Sequence, residues 1–366
     1  MRVAIYGCGQ LAGMLAMEGA GLGHEFIFIA DPSEDTACVE GRGQIFRRTS
    51  PQLDEELRAA IASADVITVE REQIDLDVLE QCAALTQMRP PLKAVATTQD
   101  RWLEKSLMVE LNIPVAPFFD LADTAAQTST SDTGYIVKSC RSGYDGKHQY
   151  RVATIQDIFK LELGEIVRGD WIAEQMIPFD FEFSVLGARG TDGTIVLYPP
   201  TENVHNNGIL RRSVAPSPRV TKALAETAGQ YLKTTLDAMN HVGMLAMECF
   251  AIGDQCLVNE LAPRVHNSGH WSLFDSGASQ FENHIRAVTG MALVEPTFSG
   301  FRGMVNLIGE DRSEDSFAPD PDLQVLRYAK TARAGRKLGH VNVRKPTSEE
   351  LRAAMDVIEQ DIYGTD

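Results

Sequence analysis

The sequence lacks any run of 18 or more apolar residues, so it offers no stretch that could form a membrane-spanning helix. It also lacks a Cys-x-x-Cys pair, and its six cysteines are scattered rather than gathered into a dense framework. This cysteine usage predicts buried, reduced thiols and a cytoplasmic location. The uncharged run at residues 3–17 contains three glycines and no convincing small-residue cleavage site, so we interpret it as a strand and a glycine turn rather than a signal peptide.

Positive charge is scarce in this chain. Lysine and arginine together number 34, against 51 aspartates and glutamates, which gives a formal net charge of −17 at pH 7. An electric field of this sign repels nucleic acids and anionic membrane surfaces, so we predict neither as a partner. A phosphate ligand must then be bound by a local cluster of basic side chains. The length of 366 residues is too great for one compact core and predicts two or three domains.

The first ninety residues alternate between strand-like and helix-like patterns. Short apolar runs of strand length occupy residues 3–7, 25–30 and 66–70, and helix-compatible stretches lie between them. Strands separated by helices predict a parallel, doubly wound sheet.

Residues 7–12 read Gly-Cys-Gly-Gln-Leu-Ala and match the pattern G-x-G-x-x-[G/A] directly after the first predicted strand. In a dinucleotide-binding enzyme, Asp31 at the end of the second strand would bind the ribose hydroxyls of NAD or NADP. Alternatively, the glycine turn opens a helix whose free N–H groups can bind any phosphate. This segment alone leaves both interpretations open.

The middle of the chain mixes helices with antiparallel strand patterns. A helix carries Leu103, Leu107 and Leu111, strands follow at residues 135–139 and within residues 171–199, and an amphipathic helix comes next. A hairpin then precedes a charged tail that contains a small β unit and a terminal helix. These patterns predict an α+β architecture after the N-terminal α/β sheet.

Two acidic residues lie on the predicted hairpin. If its turn uses three residues, Gly253 to Gln255, then Glu248 lies opposite Glu260 on the same face. Facing carboxylates about 5 Å apart repel unless a cation lies between them, and magnesium takes one or two carboxylates together with substrate phosphates. A two-residue turn would shift the register by one and send the two carboxylates to opposite faces. The sequence alone does not fix the turn.

The strand at residues 135–139 is followed by the glycine-rich sequence RSGYDGKH at residues 141–148. Its flexible backbone and basic side chains could fold over a polyphosphate and exclude water, and a plain β-turn is the alternative. Lys138 lies inside the apolar strand and requires an anionic partner, because an unpaired buried charge is costly.

A polar loop, residues 259–270, follows the second hairpin strand. His266 and His270 have a spacing that would suit zinc on a helix, but Pro263 and Gly269 predict a loop instead. A polar loop directly after a metal-binding carboxylate indicates a substrate pocket. Arg264 offers a forked donor to a phosphate or a developing oxyanion.

Taken together, these motifs resemble those of the N5-carboxyaminoimidazole ribonucleotide synthases, a family of ATP-grasp enzymes in purine biosynthesis. The resemblance runs from Gly7 to about Lys337 and displaces the NAD interpretation. Its motifs occur in the order of the family: GCGQL at Gly7, QDRWLEK at Gln99, VKSCRSGYDGKHQ at Val137, EQMIPFDFEFSV at Glu174, ENVHNNGILRRSVAP at Glu202, NELAPRVHNSGHW at Asn259, SQFENHIRAV at Ser279 and YAKTARAGRKLGH at Tyr328.

The resemblance implies a fold and a reaction. Residues 1–92 would form a Rossmann-like pre-ATP-grasp domain, residues 93–290 an ATP-grasp region with a lid at about residues 115–172, and residues 291–366 a small C-terminal domain. The reaction would join bicarbonate to 5-aminoimidazole ribonucleotide with hydrolysis of ATP to ADP and phosphate, through carboxyphosphate. The family also implies magnesium as cofactor and a homodimer.

The resemblance further implies a role for each matching residue. Glu248 and Glu260 would bind magnesium, and Arg264, Lys147 and Asp145 would be catalytic. ATP would contact Arg101, Lys138, Gly143, Tyr144, Asp145, Gly146, Lys147, His148, Gln149, Glu174, Gln175, Met176, Ile177, Glu182, His205, Asn259 and Glu260. The ribonucleotide would contact Gly9, Gln10, Leu11, Glu70, Tyr144, Asp145, Lys147, Arg264, His266, Asn267, Ser268, Lys330 and Arg336.

The sequence departs from the family pattern at three places. Ala12 and Gly13 stand where the family usually has glycine and arginine, His148 replaces a glycine at the end of the lid motif, and residues 69–73 are more acidic. No departure removes a predicted magnesium ligand, so we expect an active enzyme. A formate-dependent ATP-grasp ligase and a non-catalytic ATP-binding sensor are the alternatives.

Overall fold

The computed structural model of the protein describes residues 1–123, 131–141, 149–158, 160–163, 166–309 and 320–364. In this part of the chain no helix has both the length and the apolar character needed to cross a membrane. All six cysteines are free thiols; Cys38 is half-buried and the others are buried. The predicted scattered, unpaired cysteines are therefore observed.

The N-terminal region is a four-stranded parallel sheet, as the alternating pattern predicts. Its spatial order is β3-β2-β1-β4. The strands are β1 (Arg2–Tyr6), β2 (Glu25–Ala30), β3 (Gln44–Arg47) and β4 (Val66–Val69), and the helices are α1 (Gln10–Gly21), α2 (Glu55–Ala62), α3 (Leu76–Ala83) and α4 (Leu92–Thr98). Sequence analysis missed β3, because this edge strand exposes most of its side chains and shows no apolar run.

A second sheet has the strand order β5-β8-β6-β7. Its strands are β5 (Phe118–Asp120), β6 (Tyr135–Ser139), β7 (Gln149–Val152) and β8 (Trp171–Gln175), with helices α5 (Arg101–Glu110) before it and α6 (Ile155–Ile158) within it. Helix α5 buries Glu104, Lys105 and Met108, whereas Leu103 is 44% exposed. The leucine spacing therefore located the helix but does not mark its most buried face.

The third sheet is antiparallel and has nine strands in the described residues, in the order β14-β13-β9-β11-β12-β15-β17-β16 with β10 beside β9. The strands are β9 (Phe181–Arg189), β10 (Ile195–Leu197), β11 (Thr201–Asn206), β12 (Ile209–Ala215), β13 (Gly243–Ile252), β14 (Gln255–Ala262), β15 (Phe301–Ile308), β16 (Leu323–Arg327) and β17 (Lys337–Lys345). The helices are α7 (Lys222–Ala238), a 3-10 helix (Asn267–Leu273), α8 (Gln280–Thr289) and α9 (Ser348–Tyr363). Because β12 pairs with β15, the C-terminal strands extend the central sheet.

Helix α8 joins the N-terminal sheet to the large one. The hydroxyl of Ser279, its N-cap, donates to Glu18 of α1 at 2.8 Å. The Nδ1 atom of His284 accepts the backbone N–H of Met244 at 3.0 Å, so Nε2 carries the hydrogen and donates to the hydroxyl of Thr68 in β4 at 2.8 Å. These bonds fix the two sheets relative to each other.

Buried neutral histidines make the folded state sensitive to acid. Burial lowers the pKa of His241 to about 4 and those of His284 and His340 to about 3. In the unfolded chain the same rings protonate near pH 6.5. Between these values the unfolded state binds more protons than the folded state, so stability is full above about pH 6.5 and falls as the pH is lowered toward the folded-state pKa values.

We therefore expect His284→Gln to flatten the acid side of the stability profile. One buried histidine contributes a slope of up to about 1.4 kcal/mol per pH unit below about pH 6.5, and glutamine does not titrate. Urea unfolding between pH 7.5 and 5.5 measures this slope. Thr289→Val in the same helix removes no titratable group and should keep the wild-type slope. An unchanged slope in His284→Gln would contradict the assignment.

Candidate active site

The hairpin of β13 and β14 places Glu248 opposite Glu260, as predicted, but by a different route. Ile252 pairs with Gln255, so the turn has two residues and the predicted three-residue turn was wrong. The register then shifts, because Cys249 pairs with Val258 and Glu248 pairs with Glu260. Asn259 is thus the extra residue of a β-bulge, which restores the pairing that a regular two-residue hairpin would lose.

The two facing carboxylates carry more negative charge than their surroundings balance. Burial raises the pKa of Glu260, and the charge of Glu248 raises it further. Burial would also raise the pKa of Glu248, but the contact with His266, whose Nε2 lies 3.0 Å away, holds this pKa well below its usual value. A divalent cation between the carboxylates would relieve this repulsion, so the pair fits magnesium.

Within the described residues no group of three or more His, Cys, Asp or Glu side chains forms a metal site. A cation held by Glu248 and Glu260 would have these two carboxylates as protein ligands. Magnesium commonly has this coordination, with one or two carboxylates, substrate phosphates and water.

Lys138 has the anionic partner that its burial requires. Its ammonium lies 2.9 Å from Glu174 Oε2 in β8, and Lys105 lies 3.4 Å from Glu174 Oε1. Burial would raise the pKa of Glu174, but these two lysines hold it at about 2. Lys105 also donates to the backbone carbonyl of Asn259, the bulged residue, at 2.7 Å. Sequence analysis missed Lys105, although it belongs to the QDRWLEK motif.

Two of the predicted nucleotide residues, Gln149 and Arg101, contact the strand that carries Lys138. Gln149 pairs with Lys138 across β6 and β7, and the guanidinium of Arg101 donates to the Ser139 carbonyl at 2.9 Å. His205 Nδ1 lies 2.6 Å from Glu182 Oε2.

The chain segment that leaves β8 is fixed through its backbone. Gln175 N–H donates to the Pro117 carbonyl and Met176 N–H to the Gly134 carbonyl, at 2.8 and 2.9 Å. Ile177 follows directly after these two residues. The predicted lid residues Gly143, Tyr144, Asp145, Gly146, Lys147 and His148 lie outside the described residues.

The loop after Glu260 is held by side chains from three regions. Arg264 forms a two-pronged ion pair with Glu72, at 2.6 and 3.1 Å. Asn267 and Asn306 of β15 exchange two amide hydrogen bonds at 2.7 and 3.0 Å. Glu72 and Asn306 were not among the predicted site residues. Glu72 could have been recognised from the sequence, because it lies in the segment at residues 69–73 that is more acidic than the family pattern.

Gln280 fixes the backbone of His266 within this loop. Its side-chain oxygen accepts the His266 N–H at 2.9 Å, and its side-chain nitrogen donates to the His266 carbonyl at 2.7 Å. Residues 267–273 form a 3-10 helix, in which His270 is buried beside Gln280 and His340. His266 points instead to Glu248, so the two histidines do not form a zinc pair.

The carboxylate of Glu70 occupies the N-terminal glycine turn. Glu70 accepts the N–H groups of Gly9 and Ala12 at 2.6 and 3.0 Å. A Cβ atom at Gly7 would lie 2.3 Å from Glu70 Cγ at a φ of +112°, so this position requires glycine, and a Cβ atom at Gly9 would displace the Glu70 carboxylate. This internal anion occupies N–H groups that a dinucleotide pyrophosphate would use.

Asp31, which an NAD site would need for ribose, has internal partners. It accepts from Tyr6, Arg48 and Arg71, each within 2.8 Å at the nearest contact. The structure therefore gives a physical reason to discard the NAD interpretation.

The predicted phosphate-binding residues lie at the edge of the same turn. Lys330 donates to the Gln10 side chain, and Arg336 lies 3.2 Å from Asp35. Leu11 is buried in the first turn of α1, directly after Gln10. The structure thus brings basic side chains from the C-terminal region to the glycine turn.

Comparison with known families matches this architecture in three consecutive parts. The ribonucleotide synthetase preATP-grasp domain matches residues 1–99, the ATP-grasp domain matches residues 106–281, and the phosphoribosylaminoimidazole carboxylase C-terminal domain matches residues 303–354. The fold and the site thus define an ATP-grasp ligase, and the predicted fold class is confirmed.

Individual relatives agree over nearly the whole chain. The N5-carboxyaminoimidazole ribonucleotide synthase of Vibrio cholerae is 36% identical over 362 residues, covering 96% of this chain and 93% of its own. The synthetase structure from Thermus thermophilus has a TM-score of 0.89 at 34% identity, covering 99% and 98%. An ADP complex from Staphylococcus aureus has a TM-score of 0.86 at 30% identity, covering 97% and 96%. The chain belongs to the N5-carboxyaminoimidazole ribonucleotide synthase family.

We expect Lys105→Met to lower the free energy of unfolding at pH 7 by about 3–5 kcal/mol, because it leaves a buried carboxylate with one cation fewer. Adding Glu174→Gln should recover part of this loss, since removing both charges is milder than removing one. Lys160→Met, which removes a lysine that is 74% exposed in its ion pair, should cost less than about 1 kcal/mol. Denaturant unfolding of the four proteins measures these differences, and equal losses for Lys105→Met and Lys160→Met would refute the role of Lys105.

Proposed function

We propose that this chain catalyses the ATP-dependent carboxylation of 5-aminoimidazole ribonucleotide to N5-carboxyaminoimidazole ribonucleotide in purine biosynthesis, with bicarbonate as the carbon source. The observation that supports this most directly is the facing pair Glu248 and Glu260. It lies beside the buried lysine pair and directly precedes the loop that carries Arg264. A phosphate-binding region and a polar substrate loop therefore adjoin.

Each group of residues has a proposed ligand. Glu248 and Glu260 would hold magnesium, which supplies positive charge to the phosphates of ATP when bound. Lys138 and Arg101 would contact the phosphates, Ile177 the adenine edge, and Glu182 the ribose hydroxyls. For the ribonucleotide we propose the remaining predicted residues on the glycine turn, the loop and the C-terminal segment: Gly9, Gln10, Leu11, Glu70, Arg264, His266, Asn267, Ser268, Lys330 and Arg336.

The phosphate of the ribonucleotide is the anion that best fits the C-terminal basic side chains. Lys330 contacts Gln10 in the first turn of α1, where a helix N-terminus favours negative charge, and Arg336 pairs with Asp35. Glu70 occupies the N–H groups of Gly9 and Ala12, so the phosphate would bind at the rim of the turn rather than inside it. Glu70 is then available to contact a neutral part of the substrate.

Bicarbonate is a poor electrophile and must be activated before an amine can attack its carbon. In the proposed route a bicarbonate oxygen attacks the γ-phosphorus of ATP, the bond to ADP breaks, and carboxyphosphate forms. Such a transfer requires positioning and charge neutralisation more than covalent help from the protein. Lys138 and Arg264 carry fixed positive charge for this purpose. The amine of the ribonucleotide then bonds to the carboxyl carbon, phosphate leaves, and the nitrogen releases one proton.

We also propose the family's homodimeric state and a cytoplasmic location. The free cysteines are consistent with a reducing compartment.

Glu260→Ala should abolish ADP release that depends on both bicarbonate and the ribonucleotide, because one magnesium ligand and its charge are lost. We expect a fall in turnover of at least about 100-fold. The measurement is coupled ADP release with each substrate omitted in turn. Glu226→Ala, an exposed residue of α7, is the matched control and should retain wild-type turnover. Near-normal turnover of Glu260→Ala would refute the metal assignment.

The same assay separates the alternatives. A formate-dependent ligase would release ADP when formate replaces bicarbonate. An ATP-binding sensor would bind ATP without substrate-stimulated hydrolysis. Either result in the wild-type protein would replace the proposed function.

A further inference from the structure

A chain of five hydrogen bonds runs beneath the candidate site from β12 to Glu248. Its members are Ser213, Asn203, Ser184, Ser268, His266 and Glu248. The successive distances are 2.8 Å from Ser213 to Asn203, 3.1 Å from Asn203 to Ser184, 2.7 Å from Ser184 to Ser268, 2.9 Å from Ser268 to His266 and 3.0 Å from His266 to Glu248. The three members on the sheet are buried, Ser184 and Ser213 completely.

The direction of the hydrogen bonds in this chain is visible at its active-site end. The backbone N–H of Ser268 donates to His266 Nδ1 at 3.3 Å, so Nδ1 is an acceptor and Nε2 carries the hydrogen that faces Glu248. The Ser268 hydroxyl can donate to the same Nδ1 while it accepts from Ser184. Ser184 in turn accepts from the side-chain NH₂ of Asn203. Every donor in the chain therefore points toward Glu248.

We infer that Ser184 and Asn203 are positioning residues, which act through Ser268 to hold His266 in the tautomer that donates to Glu248. This inference depends on the proposed function only in assigning Glu248 and His266 to the active site. Buried hydroxyl and amide groups in the centre of a sheet need hydrogen-bond partners. Apolar side chains could fill the same space and would need no such partners. A role in orienting a residue next to a metal ligand explains why polar groups are present there.

Asn203→Asp tests the direction of the chain at nearly constant volume. It replaces the NH₂ donor by a carboxylate acceptor. The Ser184 hydroxyl must then donate to residue 203 instead of Ser268, and the Ser268 hydroxyl must donate to Ser184. The Ser268 oxygen can then accept a hydrogen bond from His266 Nδ1, which favours the tautomer with the hydrogen on Nδ1. We expect the ¹⁵N spectrum of labelled histidine to show that Nδ1 gains a hydrogen, and kcat/KM to fall about 10- to 100-fold.

Ser184→Ala interrupts the chain instead of reversing it. We expect the ¹⁵N shifts of both ring nitrogens of His266 to become averaged between the two tautomers, with a comparable fall in kcat/KM. His266→Asn identifies the resonances of this ring among the eight histidines. Thr235→Val is the matched control, because its buried hydroxyl bonds to the Tyr231 carbonyl of its own helix at 2.9 Å and to the Met108 sulfur at 4.0 Å, and neither residue is a member of the chain of hydrogen bonds. It should leave the spectrum and the turnover unchanged.

The inference is overturned if Asn203→Asp and Ser184→Ala melt near the wild-type temperature and keep the wild-type ¹⁵N shifts of His266. If Asn203→Asp does not fold, Ser184→Ala decides the question alone. The spectrum requires no substrate, so the two proposals can fail separately. If the variants change the tautomer but the wild-type protein has no carboxylation activity, the proposed function is rejected and the positioning role is kept.

Discussion

One buried ammonium group connects the parts of the candidate site. Lys105 is 2% exposed and bonds to the carbonyl of Asn259 on one side and to Glu174 on the other. The Asn259 contact satisfies a backbone acceptor that the β-bulge leaves without a ladder partner. The Glu174 contact joins α5 to the second sheet and to Lys138. This buried lysine thus contacts both the carboxylate hairpin and the glutamate that pairs with Lys138.

The bulge explains why an incorrect turn prediction gave the correct pairing. Counting along a regular hairpin requires three turn residues for Glu248 to face Glu260, whereas the structure has two. Asn259 is the extra residue in the bulge, and it shifts the register by one so that Glu248 faces Glu260. A bulge depends on what occupies the neighbouring edge, here Lys105 and Glu104 of α5 bonding to the backbone of β14. Local sequence does not contain that information.

Elements with a strong local pattern were predictable, and elements defined by distant contacts were not. Strands β1, β2 and β4 follow from apolar runs, and α7 follows from its leucine spacing, because each buries a regular face. The exposed strand β3 gives no such signal. In the site, the motifs identified Glu248, Glu260 and the loop residues. The residues that orient them, such as Glu72 and Asn306, lie far away in sequence and are recognised only when the chain is folded.

The loop at residues 264–268 lies largely outside regular secondary structure, so its precision must come from side-chain bonds. Glu72 holds Arg264 from the N-terminal region, Ser184 holds Ser268 from the central sheet, and Asn306 holds Asn267 from the C-terminal strands. Each of these bonds forms only when its region is docked on the others. Docking of the three regions and assembly of this loop are therefore one event, which explains how a short loop, of which only Asn267 and Ser268 belong to the 3-10 helix, can present several polar groups in a fixed arrangement.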